Sequence, residues 1–271
     1  MTKIALFCFL LISTFTFNGC SMLNPGEDQV EAMALEAYQK FKSEAKISDN
    51  KEWQAMVDRV AKRVTQASGQ DEEWEWILVE NPEVNAWAMP GGKIAVYTGL
   101  LPVVQTEAGL AAVLGHEVAH VTKEHGHERY ARAIKGSLAG LVIGAATAVG
   151  GQMLCKSEAC RYLTGLGGAA AGFAITFFER KFSREQELEA DQAGQKYMAG
   201  AGYIPSEAVQ VWDRMAQQNK GPQPPEFLST HPSDQIRKEK LNNYLPESME
   251  IYRENRQSEQ YGVGETITRN L

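Results

Sequence analysis

The first half of the chain combines a helical repeat of apolar positions with short runs typical of strands. Apolar residues recur every three to four positions over roughly 29–68, which predicts helical structure that ends at Gly69. Three strand-like runs follow, and the second and third flank a Pro-Gly-Gly turn signal at 90–92. The predicted strands cover residues 74–79, 84–89 and 93–97.

The second half of the chain has the pattern of further helices. Thr106 can act as the N-cap of a helix that runs to about His125. Residues 136–178 are instead rich in Gly and Ala, and their only charges lie within 156–161. The end of the chain, 246–271, is polar and is predicted to form a loosely ordered tail. Three more helices are predicted over 183–198, 206–218 and 233–245.

The N-terminus is predicted to be a targeting signal. Residues 1–19 combine one basic residue with an apolar run of about 14 residues, which is typical of a secretory signal peptide and too short to span a bilayer comfortably. Gly19-Cys20 resembles the end of a bacterial lipobox, in which Cys20 is lipidated and residues 20–28 form a tether. By the same resemblance, Ser21 in place of Asp implies the outer membrane. An ordinary signal peptide that is cut nearby is the alternative.

Composition and charge narrow the class of protein. The 271 residues are 44% hydrophobic and 23% charged, which excludes wholesale disorder and a collagen-like structure. With 27 Lys+Arg against 34 Asp+Glu, the net charge of −7 argues against nucleic acid as the main partner, because phosphate binding needs a basic face. Four Cys without a Cys-x-x-Cys pair do not make a disulfide scaffold.

The strongest chemical signal in the chain is His116-Glu117-Val118-Ala119-His120. Helix positions four apart differ by only ~40° in direction, so the imidazoles of His116 and His120 can bind one Zn²⁺. Glu117 is rotated by ~100° from His116, which places its carboxylate beside the metal. There it can take a proton from a water molecule and pass it to the leaving amine. A composition of this kind produces the motif by chance about 0.01 times per chain, so the pattern indicates a zinc protease.

A catalytic zinc site needs a third protein ligand and an open position. The densest candidates are Glu185, Glu187, Glu189 and Asp191, which share the predicted helix 183–198. Glu187 and Asp191 lie on one face of that helix, while Glu189 points away. Spacing alone does not choose the ligand, and a solvated acidic surface is the alternative.

Several other motifs occur in a fixed order between residues 74 and 245. They are Asn-Ala-Trp-Ala-Met-Pro-Gly-Gly at 85–92, Gly-Leu-Leu at 99–101, Ser-Arg at 183–184 with Glu187 and Asp191, and Thr-His-Pro at 230–232 followed by Arg237. Together with the His-Glu-x-x-His motif, they resemble the zinc metalloendopeptidase family that contains the CAAX prenyl protease, HtpX, LoiP and BepA.

The resemblance implies a zincin-like (gluzincin) α+β fold, mostly α, with a small sheet and an active-site helix. It implies that Glu187 is the third zinc ligand and that Asp191 orients a ligating His. It also implies that His231 lies near the oxyanion of the tetrahedral intermediate, whereas an ordinary loop residue is the alternative. Arg237 is expected to pair with acids of the Glu187 helix.

The same resemblance places residues 85–89 on an edge strand beside the cleft. Asn85, Ala86 and Trp87 are then expected to bind substrate, because an edge strand offers unpaired N–H and C=O groups to an extended peptide. This mode of binding suits unfolded protein substrates. A core hairpin is compatible with the same residues.

Two more histidines follow the zinc motif. His125 and His127 lie five and seven residues past His120, so neither continues the ligand face well. They are expected to support the site or to end the helix, and not to bind zinc.

The Gly/Ala-rich segment 136–178 is predicted to form two helices packed beside the active site. Its small-x-x-x-small spacing lets helices approach closely, and an uncharged stretch at 137–154 makes a membrane-inserted hairpin the alternative. Cys155 and Cys160 lie at its tip. A disulfide between them is favoured in an exported protein, and zinc binding is less favoured because no His is nearby.

The sequence thus predicts a zinc metalloendopeptidase of the bacterial cell envelope, anchored as an outer-membrane lipoprotein that faces the periplasm. Its expected partners are misfolded or unfolded proteins and, through the lipid, the membrane, with one Zn²⁺ per subunit. The peptidase domain covers 29–245, of which 29–69 form a helical N-terminal extension. The alternatives are a zinc-binding chaperone or assembly factor with little or no proteolytic activity, and an integral-membrane protease.

Overall fold

The computed structural model describes residues 26–135, 173–174, 176–178, 181–218, 226–231, 235–255 and 262–267. Over these ranges the chain is mostly helical with one three-stranded sheet, which confirms the predicted α+β class. The helices are α1 Glu27–Glu44, α2 Lys51–Ser68, α3 Leu101–Val104, α4 Glu107–Thr122, α5 His125–Lys135, α6 Arg184–Gly200, α7 Ser206–Gln218, α8 Glu226–Thr230 and α9 Gln235–Asn255. The strands are β1 Glu75–Val79, β2 Ala86–Met89 and β3 Lys93–Tyr97.

The sheet has the strand order β1-β3-β2, so β2 lies at one edge. β3 pairs in parallel with β1 and antiparallel with β2, with Trp87 opposite Ala95. Side chains alternate between the two faces of a strand, and both faces of this sheet are covered. Trp87 and Tyr97 point to one face, whereas Ala88 and Ile94 point to the other. Because both faces are buried, the sequences of the three strands are almost continuously apolar.

Each face of the sheet packs against helices. On the first face, the apolar side of α1 meets Trp87, and the ring of Phe41 lies 5.0 Å from the Trp87 ring in an edge-to-face arrangement. On the second face, the buried valines of α2 and the apolar residues of α4 form the main core. The sheet and α2 thus hold α4 in the middle of the molecule, because α4 is buried along almost its whole length.

The predicted helical stretch over 29–68 is divided in the structure. Asn50 caps α2 by accepting a hydrogen bond from the Trp53 N–H, and Gly69 ends it in the left-handed region with φ 69°. Between α1 and α2, Ser48 donates its N–H to the carbonyl of Leu78 at 2.9 Å, which ties the connection to β1. A helical repeat on both sides of such a connection cannot show where one helix stops and the next begins.

The start of α4 follows the prediction and its end does not. The Thr106 hydroxyl accepts a hydrogen bond from the Gly109 N–H, which confirms Thr106 as the N-cap. The helix ends at Thr122 and not at about His125, because Glu124 adopts a left-handed conformation with φ 55°. His125 therefore begins a new helix, α5.

α4 and α6 cross with their backbones in direct contact at two glycines. A Cβ atom at Gly115 would lie 2.5 Å from the carbonyl oxygen of Gly194. A Cβ atom at Gly194 would lie 2.6 Å from both the carbonyl carbon of Gly115 and the backbone nitrogen of His116. Only glycine fits at either position, and the crossing joins the zinc-motif helix to the helix that carries the candidate third ligand.

The C-terminal region differs from the predicted loose tail that begins at Pro246. α9 continues through Pro246 to Asn255. Its continuation is held by packing, since Ser248 is fully buried and donates its hydroxyl proton to the Gln195 side-chain oxygen at 3.1 Å. A proline removes one helical hydrogen bond, and the buried contacts that follow it offset this loss.

Residues 262–267, which we call the C-terminal strap, dock against the start of α4. The N–H of Glu107 donates to the Glu265 carbonyl at 3.0 Å, and the N–H of Ala108 donates to the Val263 carbonyl at 2.9 Å. Arg59 adds ion pairs to the side chains of both Glu107 and Glu265. The first N–H groups of a helix have no partner within it, so the strap supplies the acceptors that α4 lacks.

Several predictions fall outside the described residues. These are the signal peptide, the lipidation of Cys20, most of the Gly/Ala-rich segment and the pairing of Cys155 with Cys160. Of the helices that the structure describes, none has both the length and the apolar character required to cross a membrane.

We predict that Gly194→Ala destabilises the fold by about 1–3 kcal/mol or more, because the new methyl group would force the backbones of α4 and α6 apart. Gly200→Ala, in the same helix, is the matched control, since a Cβ there meets only the Ala67 methyl at 3.4 Å. The measurement is the urea midpoint of unfolding. Equal midpoints for the two variants would show that the close crossing is not required.

We predict that removing residues 262–271 lowers stability by about 1–2 kcal/mol, because two N–H groups at the start of α4 lose their acceptors. A chain that ends after residue 267 keeps the strap and is the control. Thermal unfolding of both proteins should give a lower midpoint for the shorter chain alone. The same midpoint in both would contradict a stabilising role for the strap.

Candidate active site

Four buried side chains from three parts of the chain meet at one point. His116 and His120 project from α4, Glu187 from the start of α6, and His231 from the residue after α8. Each offers one ligand atom, and these atoms all lie within 4.8 Å of one another. The Nε2 atoms of His116 and His120 are 3.1 Å apart, and Glu187 Oε1 lies 3.0 Å from Nδ1 of His231.

The structure distinguishes among the four acids of the predicted helix 183–198. Glu187 is buried with its carboxylate 3.5 Å from the Nε2 atoms of both zinc-motif histidines. Glu185 is exposed, and Glu189 points out of the cluster with a side chain that is 53% exposed. Asp191 is buried behind His116. A Ser183–Gln186 capping box starts α6 and thereby sets the direction of Glu187.

Asp191 and Arg237 form a second layer behind the cluster. Asp191 Oδ1 lies 3.0 Å from Nδ1 of His116, and the Arg237 guanidinium donates to both Asp191 oxygens at 2.7 Å. Arg237 also pairs with Glu187, and its guanidinium lies 4.0 Å from the ring centre of Trp212. The carboxylate behind His116 leaves the Nε2 of His116 free to bind a metal, and Arg237 keeps both acids in place.

The buried carboxyls stay ionised because of these partners. Burial opposes the charge of Glu187, but His231 and Arg237 outweigh it and hold the pKa of Glu187 well below its usual value. Arg237 likewise outweighs burial and lowers the pKa of Asp191. Burial also disfavours protonation of His116, yet Asp191 and Glu187 raise the pKa of His116 to about 9. The local field therefore favours a positive charge at the centre of the cluster.

Glu117 lies beside the cluster and not in it. Its Oε1 is 3.5 Å from Nε2 of His231, and its carboxyl group accepts a hydrogen bond from the backbone N–H of Ala88. Burial raises the pKa of Glu117, although His231 and His116 oppose the shift. A carboxylate with a raised pKa is a stronger base than a solvated one.

His120 is held by aromatic and imidazole neighbours. The ring of Phe182 stacks on it with 3.8 Å between ring centres, and the Arg129 guanidinium lies 3.7 Å from the centre of the Phe182 ring. Nδ1 of His120 is 2.9 Å from Nδ1 of His125. Burial lowers the pKa of both histidines. The sequence contains no spacing signal for Phe182 or Arg129, because their contacts with the site arise only when separate elements pack together.

Of the predicted substrate-binding residues, Ala86 and Trp87 lie on β2 and Asn85 immediately precedes it, and their side chains are not equivalent. The Tyr97 N–H donates to the Asn85 carbonyl, so Asn85 and Trp87 pair with β3 while the N–H and C=O groups of Ala86 and Ala88 point to the outer edge. The Trp87 side chain packs in the aromatic core. Asn85 and Trp87 also line a small recess with Arg129, Phe177, Phe178, Phe182 and Thr230.

The donor set suits zinc. Two imidazole nitrogens and one carboxylate oxygen are the ligands of a common class of catalytic zinc site, and a fourth position remains for water or substrate. The orienting acid behind His116 is a further feature of such sites. His231 is close enough to the other ligand atoms to be a fourth donor, which the sequence did not predict. His127 is not part of the cluster.

Comparison with known proteins agrees with this geometry. The model of peptidase family M48 matches residues 48–245. Mitochondrial metalloendopeptidase OMA1 of Schizosaccharomyces pombe is 35% identical over 195 residues, which cover 71% of this chain and 53% of that protein. The protein of the same name from Arabidopsis thaliana is 33% identical over 183 residues, or 67% of this chain and 34% of that protein. The Beta-barrel assembly-enhancing protease of Escherichia coli K12 is 27% identical over 175 residues, which cover 64% of this chain and 35% of that protein.

These relatives correct the predicted location. Those at 33–35% identity are named as mitochondrial proteins of fungi, a plant and animals, which contradicts the predicted outer-membrane location facing the periplasm. A short apolar run shows that a segment is hydrophobic, but it does not identify the membrane to which the segment leads. The chain spans about half or less of the length of these relatives.

The family match covers the His-Glu-x-x-His helix, the Glu187 helix and the start of α9 in one continuous range. The buried donor cluster lies inside that range and has the composition of a catalytic zinc site. The resemblance noted in the sequence is therefore confirmed, and the chain belongs to peptidase family M48.

Proposed function

We propose that this chain is a zinc-dependent endopeptidase that cleaves unfolded or misfolded proteins. The observation that carries the proposal is the buried group of His116, His120, Glu187 and His231 with the carboxylate of Glu117 beside it. His116, His120 and Glu187 would hold the metal. Zinc, when bound, supplies Lewis-acid chemistry that acidifies water and polarises a peptide carbonyl.

Glu117 is proposed as the general base and then the general acid. Its carboxylate takes a proton from the attacking water and delivers it to the leaving amine. The Ala88 N–H holds the carboxylate in place, and burial makes it more basic than a solvated one. His231 is proposed to donate an imidazole N–H to the oxyanion of the tetrahedral intermediate, since its ring lies between Glu117 and the ligand cluster.

The outer edge of β2 is proposed to bind the substrate backbone. The N–H and C=O groups of Ala86 and the C=O group of Ala88 point outward there, and in the part of the chain that the structure describes no strand pairs with them. The Ala88 N–H is already used by the Glu117 carboxylate. An extended peptide can add to such an edge as a further strand. This recognition depends on the backbone and requires an unfolded segment, which fits a role in removing misfolded protein.

A silent zinc site in a chaperone or assembly factor is the competing function. The name of the Escherichia coli relative, Beta-barrel assembly-enhancing protease, refers to assembly as well as to proteolysis. Proteolysis is favoured because a buried carboxylate, that of Glu117, lies beside the ligand cluster next to His231. A binding protein would not need a buried acid at this position.

We predict that Glu117→Gln lowers the rate of casein cleavage by about 10²–10⁴-fold, because the amide cannot accept a proton. Zinc content should stay at one ion per chain, since Glu117 is not in the ligand cluster. The measurements are casein hydrolysis by the purified chain and metal content by mass spectrometry. A chelator should abolish wild-type cleavage, and added zinc should restore it.

Glu247→Gln is the matched control, because Glu247 lies on the surface in an ion pair with Lys196. It should cleave casein at the wild-type rate. If wild type and Glu117→Gln bind zinc, remain folded and are equally inert, the chain is a zinc-binding protein without protease activity, and the proposal fails.

We predict that His231→Leu lowers kcat by about 10²–10³-fold, because a positioned donor to the oxyanion is lost. KM should change little, and zinc should remain bound by the other three ligands. Steady-state kinetics on a fluorogenic peptide and a zinc titration check both outcomes. Loss of zinc from this variant would instead show that His231 is a metal ligand.

A further inference from the structure

The two histidines of the zinc motif have different partners on their second ring nitrogen. His116 faces the carboxylate of Asp191, as described above. His120 faces another imidazole: its Nδ1 lies 2.9 Å from Nδ1 of His125, in the buried interior. The Nε2 of His125 then lies 3.4 Å from Oε2 of Glu189, whose side chain reaches the surface.

When a metal binds Nε2 of His120, the contacts of the two rings fix where their protons lie. A metal ligand nitrogen carries no proton, so His120, whose Nε2 faces the cluster, keeps its proton on Nδ1. That N–H donates to Nδ1 of His125, which must therefore be the unprotonated nitrogen of its ring. The proton of His125 is then on Nε2 and donates to the Glu189 carboxylate. Each ring has one tautomer that satisfies every contact.

We propose that His125, supported by Glu189, is a positioning residue that holds His120 in the tautomer and ring orientation in which Nε2 faces the zinc. This inference rests on the zinc site proposed above and assigns a role to two residues outside it. The partner of a ligating histidine fixes the ring and raises the basicity of the ligand nitrogen.

The local backbone explains why His125 can reach this position. Glu124 turns the chain through a left-handed conformation, so His125 does not follow the helical path of α4. Its ring centre lies 5.0 Å from that of His120, which a residue five positions further along a straight helix would not face. Glu189 is anchored by Lys123 at 3.6 Å, so α6 supplies both the ligand Glu187 and the outer end of this chain of contacts.

The experiment is a titration of the full chain with Zn²⁺ against a competing chelating dye. His125→Leu should raise the zinc Kd by about 10–100-fold, as is typical when such a partner is removed. His125→Asn should stay close to wild type, because its side-chain oxygen can accept the His120 Nδ1 proton. His127→Leu is the matched control on the same helix and should not change the Kd. Glu189→Ala should raise the Kd by a smaller factor than His125→Leu.

Thermal unfolding of the metal-free proteins separates positioning from folding. The proposal expects similar midpoints for His125→Asn, His127→Leu and wild type, with the zinc defect confined to the leucine variant at position 125. If His125→Leu does not fold, the Glu189→Ala titration decides, because Glu189 is half exposed and its removal spares the core.

Two results would overturn the proposal. One is a zinc Kd equal to that of wild type in a folded His125→Leu variant. If that variant does not fold, the same result in Glu189→Ala has this meaning. The other is an equal loss of affinity in His125→Asn and His125→Leu, since the asparagine keeps the acceptor. A wild-type chain that binds zinc but cleaves no protein would refute the proposed protease function and leave this assignment intact, because the readout is affinity and not activity.

Discussion

The backbone contact between α4 and α6 at Gly115 and Gly194 is the constraint on which the site depends. The absence of a Cβ atom on both sides lets two helices that are distant in sequence touch directly. His116 follows Gly115 immediately, and Glu187 lies two turns before Gly194, so the crossing brings an imidazole and a carboxylate to one point. An added methyl group here would move the ligands apart as well as strain the helices, so stability and metal binding are coupled at this crossing.

The crossing of α4 and α6 brings several carboxylates into the interior, and neighbouring cationic groups offset their negative charge. Glu117, Glu187 and Asp191 are all buried, which would cost several kcal/mol per ion without partners. Arg237 neutralises two of them at once with its planar group, and a bound divalent cation would take up the remaining charge. The same arrangement serves the chemistry, because a low-dielectric site strengthens each interaction that holds a proton or an anion.

The two zinc-motif histidines are supported in different ways, although their spacing makes them look equivalent. One is backed by a fully buried carboxylate and its arginine, and the other by a neutral imidazole that leads to a surface acid. The first partner is charged and buried, and the second reaches the surface through Glu189. The edge strand β2 adds a third constraint, since its Ala88 N–H orients Glu117. The scaffold thus positions each reactive group through a separate element.

The sequence by itself determined the reaction class and most of the elements, although not where several helices end. Strand runs, the Thr106 and Gly69 caps and the His-Glu-x-x-His spacing are local, so each could be read from neighbouring residues. The choice of Glu187 over Glu185 and Glu189 needed the family resemblance, and the structure supports it by burial. Only the tertiary structure revealed the crossing at Gly115 and Gly194, the stacking of Phe182, the partner of His120 and the docking of the C-terminal strap. These contacts join residues far apart in sequence, and a single chain carries no signal for them because the packing of whole elements creates them.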